Sequence, residues 1–307
     1  VNCNDKPIED LHFTDNIAHS NRAGWIPMRL KDQNCALFSH FHAYKNWEQG
    51  VLHRAEIPFV EAENLILADN RNGLALNAGN GVKYPSIKFT DSAIIGKVLL
   101  DCPECYKGDD CETTGLITGL FNKPKYEFYW EEVKLPMHNS TSAKFTYGGT
   151  QDISDVHFIN FAQSDECPDT RQTAIRMNNF YQDDGTMVTF SNITLTNVDD
   201  KNKLYFPNHK RHLDSGAYCN RVDCTANYNN LFVDLDGDIM DTAGPMHFFG
   251  NNKGAGRDGD CSFKEDWNGH ACNPEYAQLL LTRENDDRGL NIFPLNLKIE
   301  EYSEDKS

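Results

Sequence analysis

Glycines at positions 24, 50, 73 and 96 follow one another at intervals of 26, 23 and 23 residues, and this period constrains the fold more tightly than any other feature of the chain. Each is preceded, three or four residues earlier, by Asn21, Asn46, Asn70 or Ser92, and before that by a short apolar stretch around Phe13, Phe38 to Phe41, Leu65 to Leu67 or Ile87 to Phe89. Apolar residues resume at once after the first three, with Trp25-Ile26, Val51-Leu52, and Leu74 and Leu76, whereas Gly96 is followed by Lys97 before Val98-Leu99-Leu100. A unit of roughly 23 residues with short strands, an Asn-x-x-Gly turn and no helical period suits one coil of a parallel β-helix. Leucine-rich repeats share the length but need a recurring leucine and asparagine frame, and a β-sandwich gives no reason for so regular a period. Neighbouring coils pair at about 4.8 Å, so asparagines at equivalent turns can bond to one another and to backbone, and an isolated coil would not fold.

The period is lost from Asp101 to about Thr150, which reads as a long loop excursion from one coil. Within it Cys102, Cys105 and Cys111 invite a zinc reading, but a single CxxC without a second pair among acidic neighbours suits a disulfide-pinned loop better. Strand signals return at Val156 to Phe161, Met187 to Leu195, Lys203 to Phe206 and Leu231 to Val233, with a last one at Tyr276 to Thr282. The expected organisation is a single all-β solenoid over 1–307, with the excursion at about 101–150 and an acidic tail at about 299–307.

With 39% hydrophobic and 11% aromatic residues, the 307-residue chain can bury a real core. Its net charge of -17, from 46 acidic and 29 basic residues, argues against nucleic acid or an anionic membrane as a main partner. Glycans, other extracellular proteins and calcium-bridged partners stay open. Ten cysteines beside the sequons at Asn139 and Asn192 favour a secreted, glycosylated protein. Cys219 with Cys224 and Cys261 with Cys272 could close local loops, while Cys3, Cys35 and Cys167 have no near partner in sequence. No apolar run is long enough to span a bilayer, and a chain beginning at Val1 reads as a processed form or a piece of something longer.

The chemistry-bearing stretch is Asn229 to Gly244, NNLFVDLDGDIMDTAG. If its strand continues, Asp234, Asp236 and Asp238 share one side, where they repel unless a cation, hydrogen-bond donors or water compensates them. Calcium is the natural cation, although the EF-hand loop is excluded because its glycine and glutamate positions hold Ile239 and Pro245. The alternative is an acidic turn around Gly237 that closes a strand. His40 and His42 alternate on one strand face and read as a surface pair, and His209-Lys210-Arg211-His212 is a small basic loop that reads as solvated.

Three segments are more specific. FTDNIAHSNRAG at 13 to 24, FVDLDG at 232 to 237 and WNGHACNPEYAQ at 267 to 278, with FHAYKNWEQGV at 41 to 51 and FSNITLTNV at 190 to 198 between them, resemble the extracellular β-helix region shared by fibrocystin-like proteins, the cell-surface hyaluronidase and the cell migration-inducing hyaluronan-binding protein. The resemblance implies a right-handed parallel β-helix in an extracellular or cell-surface protein, often preceded by an eight-glycine domain. The chain departs from that pattern after DLDG, where Asp238-Ile239 replaces Ser or Thr followed by Leu.

Two functions follow. One is a non-catalytic structural or glycan-binding module of a coat, fibre or receptor, since a stacked solenoid is a stiff rod with extended faces that could also self-assemble. The other is a glycan depolymerase of the hyaluronidase type, with Asp234 and Asp236 as the catalytic candidates, because residues two apart on a strand stand about 7 Å apart, within the span of an inverting pair. The family contains both. The net charge opposes a polyanionic substrate, and only Lys210-Arg211 and Lys253 to Arg257 hint at a basic cleft.

Overall fold

The computed structural model describes residues 12–25, 35–46, 48–52, 59–76, 86–96, 113–120, 149–163, 172–179, 186–206, 231–250 and 261–273. These are β throughout apart from one helical turn, and their parallel sheets, laid coil upon coil, are consistent with a β-helix. The first coil carries β1 (His12–Thr14), β2 (Ile17–His19) and β3 (Ala23–Trp25). The second carries β4 (Cys35–Ser39), β5 (His42–Tyr44) and β6 (Gln49–Leu52), and the third β7 (Phe59–Glu63), β8 (Ile66–Ala68) and β9 (Asn72–Ala75). Thereafter the first two strands of each coil merge. Thus β10 (Ser86–Ile95) is followed by β11 (Thr113–Leu120), β12 (Gly149–Phe161) by β13 (Gln172–Asn179), and β14 (Thr186–Val198) by the helical turn α1 (Asp200–Lys203) and β15 (Leu204–Tyr205).

The first wall runs β1-β4-β7-β10-β12-β14 and ends on β16 (Leu231–Asp234), every pair parallel. The second wall, β2-β5-β8, joins the later halves of β10, β12 and β14, and a separate parallel sheet, β3-β6-β9-β11-β13-β15, closes the coil. Between the first two walls the chain turns at single left-handed residues in register, namely Asp15, His40, Asn64, Asp91, Asp155 and Asn192, all with φ between 50° and 55°. Aspartate and asparagine predominate there because their short polar side chains tolerate left-handed backbone.

Register decides which residues fill the core. Phe13, Phe38, Ala62, Phe89, Ile153 and Phe190 stand in one inward column of the first wall, and Ala18, Ala43, Leu67, Ile94, Phe158 and Leu195 in one of the second. Each enclosed phenylalanine contributes about 2–3 kcal/mol of apolar burial.

The glycine period has a steric cause, but its fourth member is not the expected one. A Cβ on Gly24 would stand 2.4 Å from Gly50 O, on Gly50 2.6 Å from Gly73 O, and on Gly73 2.6 Å from Gly115 O. Gly115, not Gly96, therefore continues the column. Pairing of Ile95 with Ala68 puts Gly96 beside Asp69, at the corner between the second wall and the following strand. The asparagine ladder is present in the first three coils. Asn46 Nδ2 donates to Asn70 Oδ1 (2.9 Å) and to Ala18 O (3.3 Å), Asn70 Nδ2 donates to Ala43 O (2.8 Å), and Asn46 Oδ1 accepts the Asn21 N–H (3.2 Å). Ser92 is not a rung of it, since its hydroxyl accepts the Leu65 N–H one corner earlier.

Two further boundaries differ from the sequence reading. Thr113–Leu120, inside the stretch expected to be an excursion, is the wall strand β11, hydrogen-bonded between β9 and β13. The parallel stack also does not continue after β16. It ends in antiparallel strands, β17 (Met246–Gly250), β18 (Cys261–Lys264) and β19 (Gly269–Cys272), in the order β16-β17-β19-β18. Cys261 and Cys272 are directly opposite in this hairpin and form the disulfide that their spacing suggested. Phe248, Ala271 and Trp267 close the core end, and the Trp267 indole N–H donates to Asp200 O at 2.7 Å. Cys102, Cys105, Cys111, Cys219, Cys224, Asn139, the basic loop, the Tyr276 to Thr282 stretch and the tail lie outside the described residues. Among the described residues no helix is long and apolar enough to cross a membrane.

Candidate functional site

The acidic stretch sits where the parallel stack stops. Strand β16 pairs with β14 so that Phe232 lies beside Val188 and Asp234 beside Phe190. Asp234 thus enters the inward phenylalanine column and has no exposed surface. The strand does not continue beyond it. Gly237 turns the chain at φ +84°, where an added Cβ would meet the Thr242 and Gly244 carbonyls at 2.4 Å, and the Met240 and Thr242 N–H groups both donate to Gly237 O at 3.1 Å.

Because the strand breaks, Asp234 is buried while Asp236 and Asp238 are exposed, although the Asp236 side chain stays within reach of Asp234. Asp234 Oδ2 accepts the Ile239 N–H at 3.0 Å from within the turn, while its Oδ1 is buried without a partner. Burial pushes the Asp234 carboxyl up to about 7; the Ile239 N–H acts against that shift, and the neighbouring Asp236 and Asp238 charges add to it. A neutral carboxyl is the physical answer to an aspartate in an aromatic column. Asp236 and Asp238 are exposed and reach the preceding coil, accepting the N–H groups of Asn192 (2.6 Å) and Ile193 (3.1 Å). Asn192 also gives its side-chain amide to Asp155, which holds that carboxyl below the usual aspartate range. Together these bonds fasten the last parallel coil to the corner of the coil before it.

This geometry bears on each proposed chemistry. A glycosidic bond outside the coil is beyond the reach of Asp234, which the fold encloses. Among the described residues no three His, Cys, Asp or Glu side chains gather as a metal-holding group. The sequon residue Asn192 is exposed at its corner. His40 and His42 do not share a strand face, since His40 is the left-handed corner residue and His42 opens β5.

A second feature was not legible in the sequence. Between α1 and the turn joining β18 to β19 lies a cleft of about 310 Å³, bordered by Lys201, Lys203, Lys264, Phe263 and Trp267, with Asp200, Glu265 and Asp266 balancing the lysines. Lys203 binds Asp200 at 2.8 Å and Lys264 lies 5.9 Å from the Trp267 ring centroid, so its cations are partly engaged. Residues 200–203 and 263–267 are far apart in sequence, and only the folding back of the hairpin unites them.

No family model matches the chain. It is similar to fibrocystin of Mus musculus, at 24% identity over 262 residues, covering 78% of this chain and 6% of that protein. Fibrocystin of Canis lupus familiaris gives 26% over 268 residues, 78% of this chain and 6% of that protein. The Cell migration-inducing and hyaluronan-binding protein of Mus musculus gives 24% over 267 residues, 82% of this chain and 17% of that protein. The likeness seen in separate motifs therefore extends over about four fifths of the chain, and the chain spans a small part of each relative.

Proposed function

We propose that the chain is a non-catalytic β-helix module, right-handed in its coiling, of an extracellular or cell-surface protein, acting as a stiff rod of a coat, fibre or receptor that contacts glycans or other extracellular proteins along its flank. The observation that supports this most is the use made of the acidic segment. Asp234 is enclosed in the core column, and Asp236 and Asp238 are bonded to backbone amides of the neighbouring coil. The hyaluronan-binding relative supports the glycan part of the reading. The hydrolase reading draws on one fact, that an acid with its pKa near 7 stands beside Asp236.

Incubating the purified protein with high-molecular-weight hyaluronan at acidic and neutral pH, with and without calcium, tests both readings. We expect the size distribution of the polymer to stay unchanged. Shortening that disappears in an Asp234→Asn variant would establish the hydrolase instead. The calcium arms, read also as melting temperature, test the expectation that Asp234, Asp236 and Asp238 hold that cation.

A further inference from the structure

Among the described residues the outer surface of the second wall differs from that of the first. Two rows of outward side chains cross six coils there, one beginning Ile17, His42, Ile66 and the other His19, Tyr44, Ala68, and they continue in register through β10, β12 and β14 to Thr194 and Thr196. Neither row contains an aspartate, glutamate, lysine or arginine. On the first wall one outward row alone carries Glu61, Lys88 and Asp152 in successive coils. Ile17, Ile66 and Tyr44 are 65%, 42% and 38% exposed, and they are three of the five large hydrophobic side chains exposed among the described residues. The Tyr44 ring stacks on His19 on one side (centroids 4.8 Å apart, planes 12° apart), and on the other it overlooks Ala68, whose methyl group leaves a step one coil wide.

The dimensions select the occupant. Six coils at about 4.8 Å spacing and strands of three residues make a strip about 24 Å long and about 10 Å wide. That is roughly 240 Å², against about 800 Å² that each partner of a stable protein pair covers. The strip alone is smaller than a stable protein interface needs, and an extended polymer one sugar wide matches its length and width. The strip offers apolar and aromatic surface for the C–H faces of pyranose rings, with polar corner residues on both sides to meet hydroxyl groups. Those corners include the carboxylates of Asp15, Asp91, Asp155 and Asp69 against the single cation of Lys45, which disfavours a ligand bearing its own carboxylates.

We propose that the outward face of β2, β5, β8 and the aligned halves of β10, β12 and β14 binds an uncharged, linear, equatorially linked glycan lying along the coil axis, its ring faces flat over Ile66 and Ala68 and against the outer edge of Tyr44. This rests on the reading of the chain as a glycan-contacting module and names the face and the ligand class. The test is calorimetric titration of the full chain with cellohexaose, chitohexaose and a hyaluronan hexasaccharide, repeated on Tyr44→Ala, Ile66→Asp and, on the first wall, Lys88→Ala. The expected result is binding of a neutral hexasaccharide that weakens at least tenfold in Tyr44→Ala and Ile66→Asp, with unchanged melting temperature, and stays constant in Lys88→Ala. Should Ile66→Asp fail to fold, Ala68→Trp, which fills the step from outside, must abolish binding in its place. Neutral binding indifferent to these variants would overturn the face while leaving the glycan-contacting reading intact. Tighter binding of the hyaluronan hexasaccharide would overturn the ligand class, and no binding of any of the three would overturn both the face and the reading it rests on.

Discussion

Asp234 stands directly beside Phe190 of the preceding coil, an aspartate in the place where the other coils of the first wall put phenylalanine, alanine or isoleucine. The position gives the end of the stack a polar anchor, because the carboxyl of Asp234 binds the Ile239 N–H and so holds the turn that stops parallel coiling. Burial raises its pKa to about 7 and so favours its neutral form.

The stability of the protein should therefore depend on pH through Asp234. Its folded pKa, about 7, lies above that of an unfolded aspartate, so its contribution is fully present below about pH 4 and is lost as pH rises through 7. Asp234→Asn keeps the shape and removes the titration. Urea unfolding at several pH values should show the wild type losing on the order of 3 kcal/mol relative to the variant between pH 4 and pH 8. A difference between the two that is constant with pH would show that Asp234 does not titrate in this way.

Removing Asn46 interrupts the ladder at its middle rung. Asn46→Ala leaves the Asn21 N–H without its acceptor and takes a donor from Ala18 O, in a place where Asn46 itself is 2% exposed. The expected loss is about 2 kcal/mol. The Asn46→Ala, Asn70→Ala pair should lose less than the sum of the singles, because the Asn46 to Asn70 bond is counted twice. Additive losses in chemical denaturation would mean that the rungs act independently.

Reduction of the Cys261–Cys272 bond should release the closing hairpin before the coils. The bond spans 11 residues, and a loop of that length is worth roughly 3 kcal/mol. Trp267 reports on the event, since its indole N–H is held by Asp200 O. Under a reductant, tryptophan fluorescence should shift at a lower temperature than the far-ultraviolet signal of the strands. Coincident transitions in both states would show that hairpin and coils unfold as one unit.

Much of the coil was legible in the chain itself. The spacing of Gly24, Gly50 and Gly73 recorded a steric necessity, since each Cβ would strike the carbonyl oxygen of the next glycine, and Asn21, Asn46 and Asn70 recorded the bonds that stacking makes available. Cys261 and Cys272 were readable as a pair because a local loop can be judged from sequence distance alone. These features are determined by the chain because the same local conformation recurs at a fixed interval.

What the sequence could not decide is what depends on the alignment of one coil with another across unequal insertions. Gly115 takes the fourth glycine place although Gly96 has the right spacing, because the segment between β10 and β11 lengthens the coil without changing the register of its walls. Asp234 points into the core because pairing with Phe190 fixes its side, and a shift of one residue would have turned it outward. The outer face without Asp, Glu, Lys or Arg begins with strands of three residues, too short to show an alternation of their own, so its two rows exist only once the corners at Asp15, His40 and Asn64 have set the strands in line. Local spacing wrote the coil, and the hydrogen-bonded register between coils decided which residues became core, corner and surface.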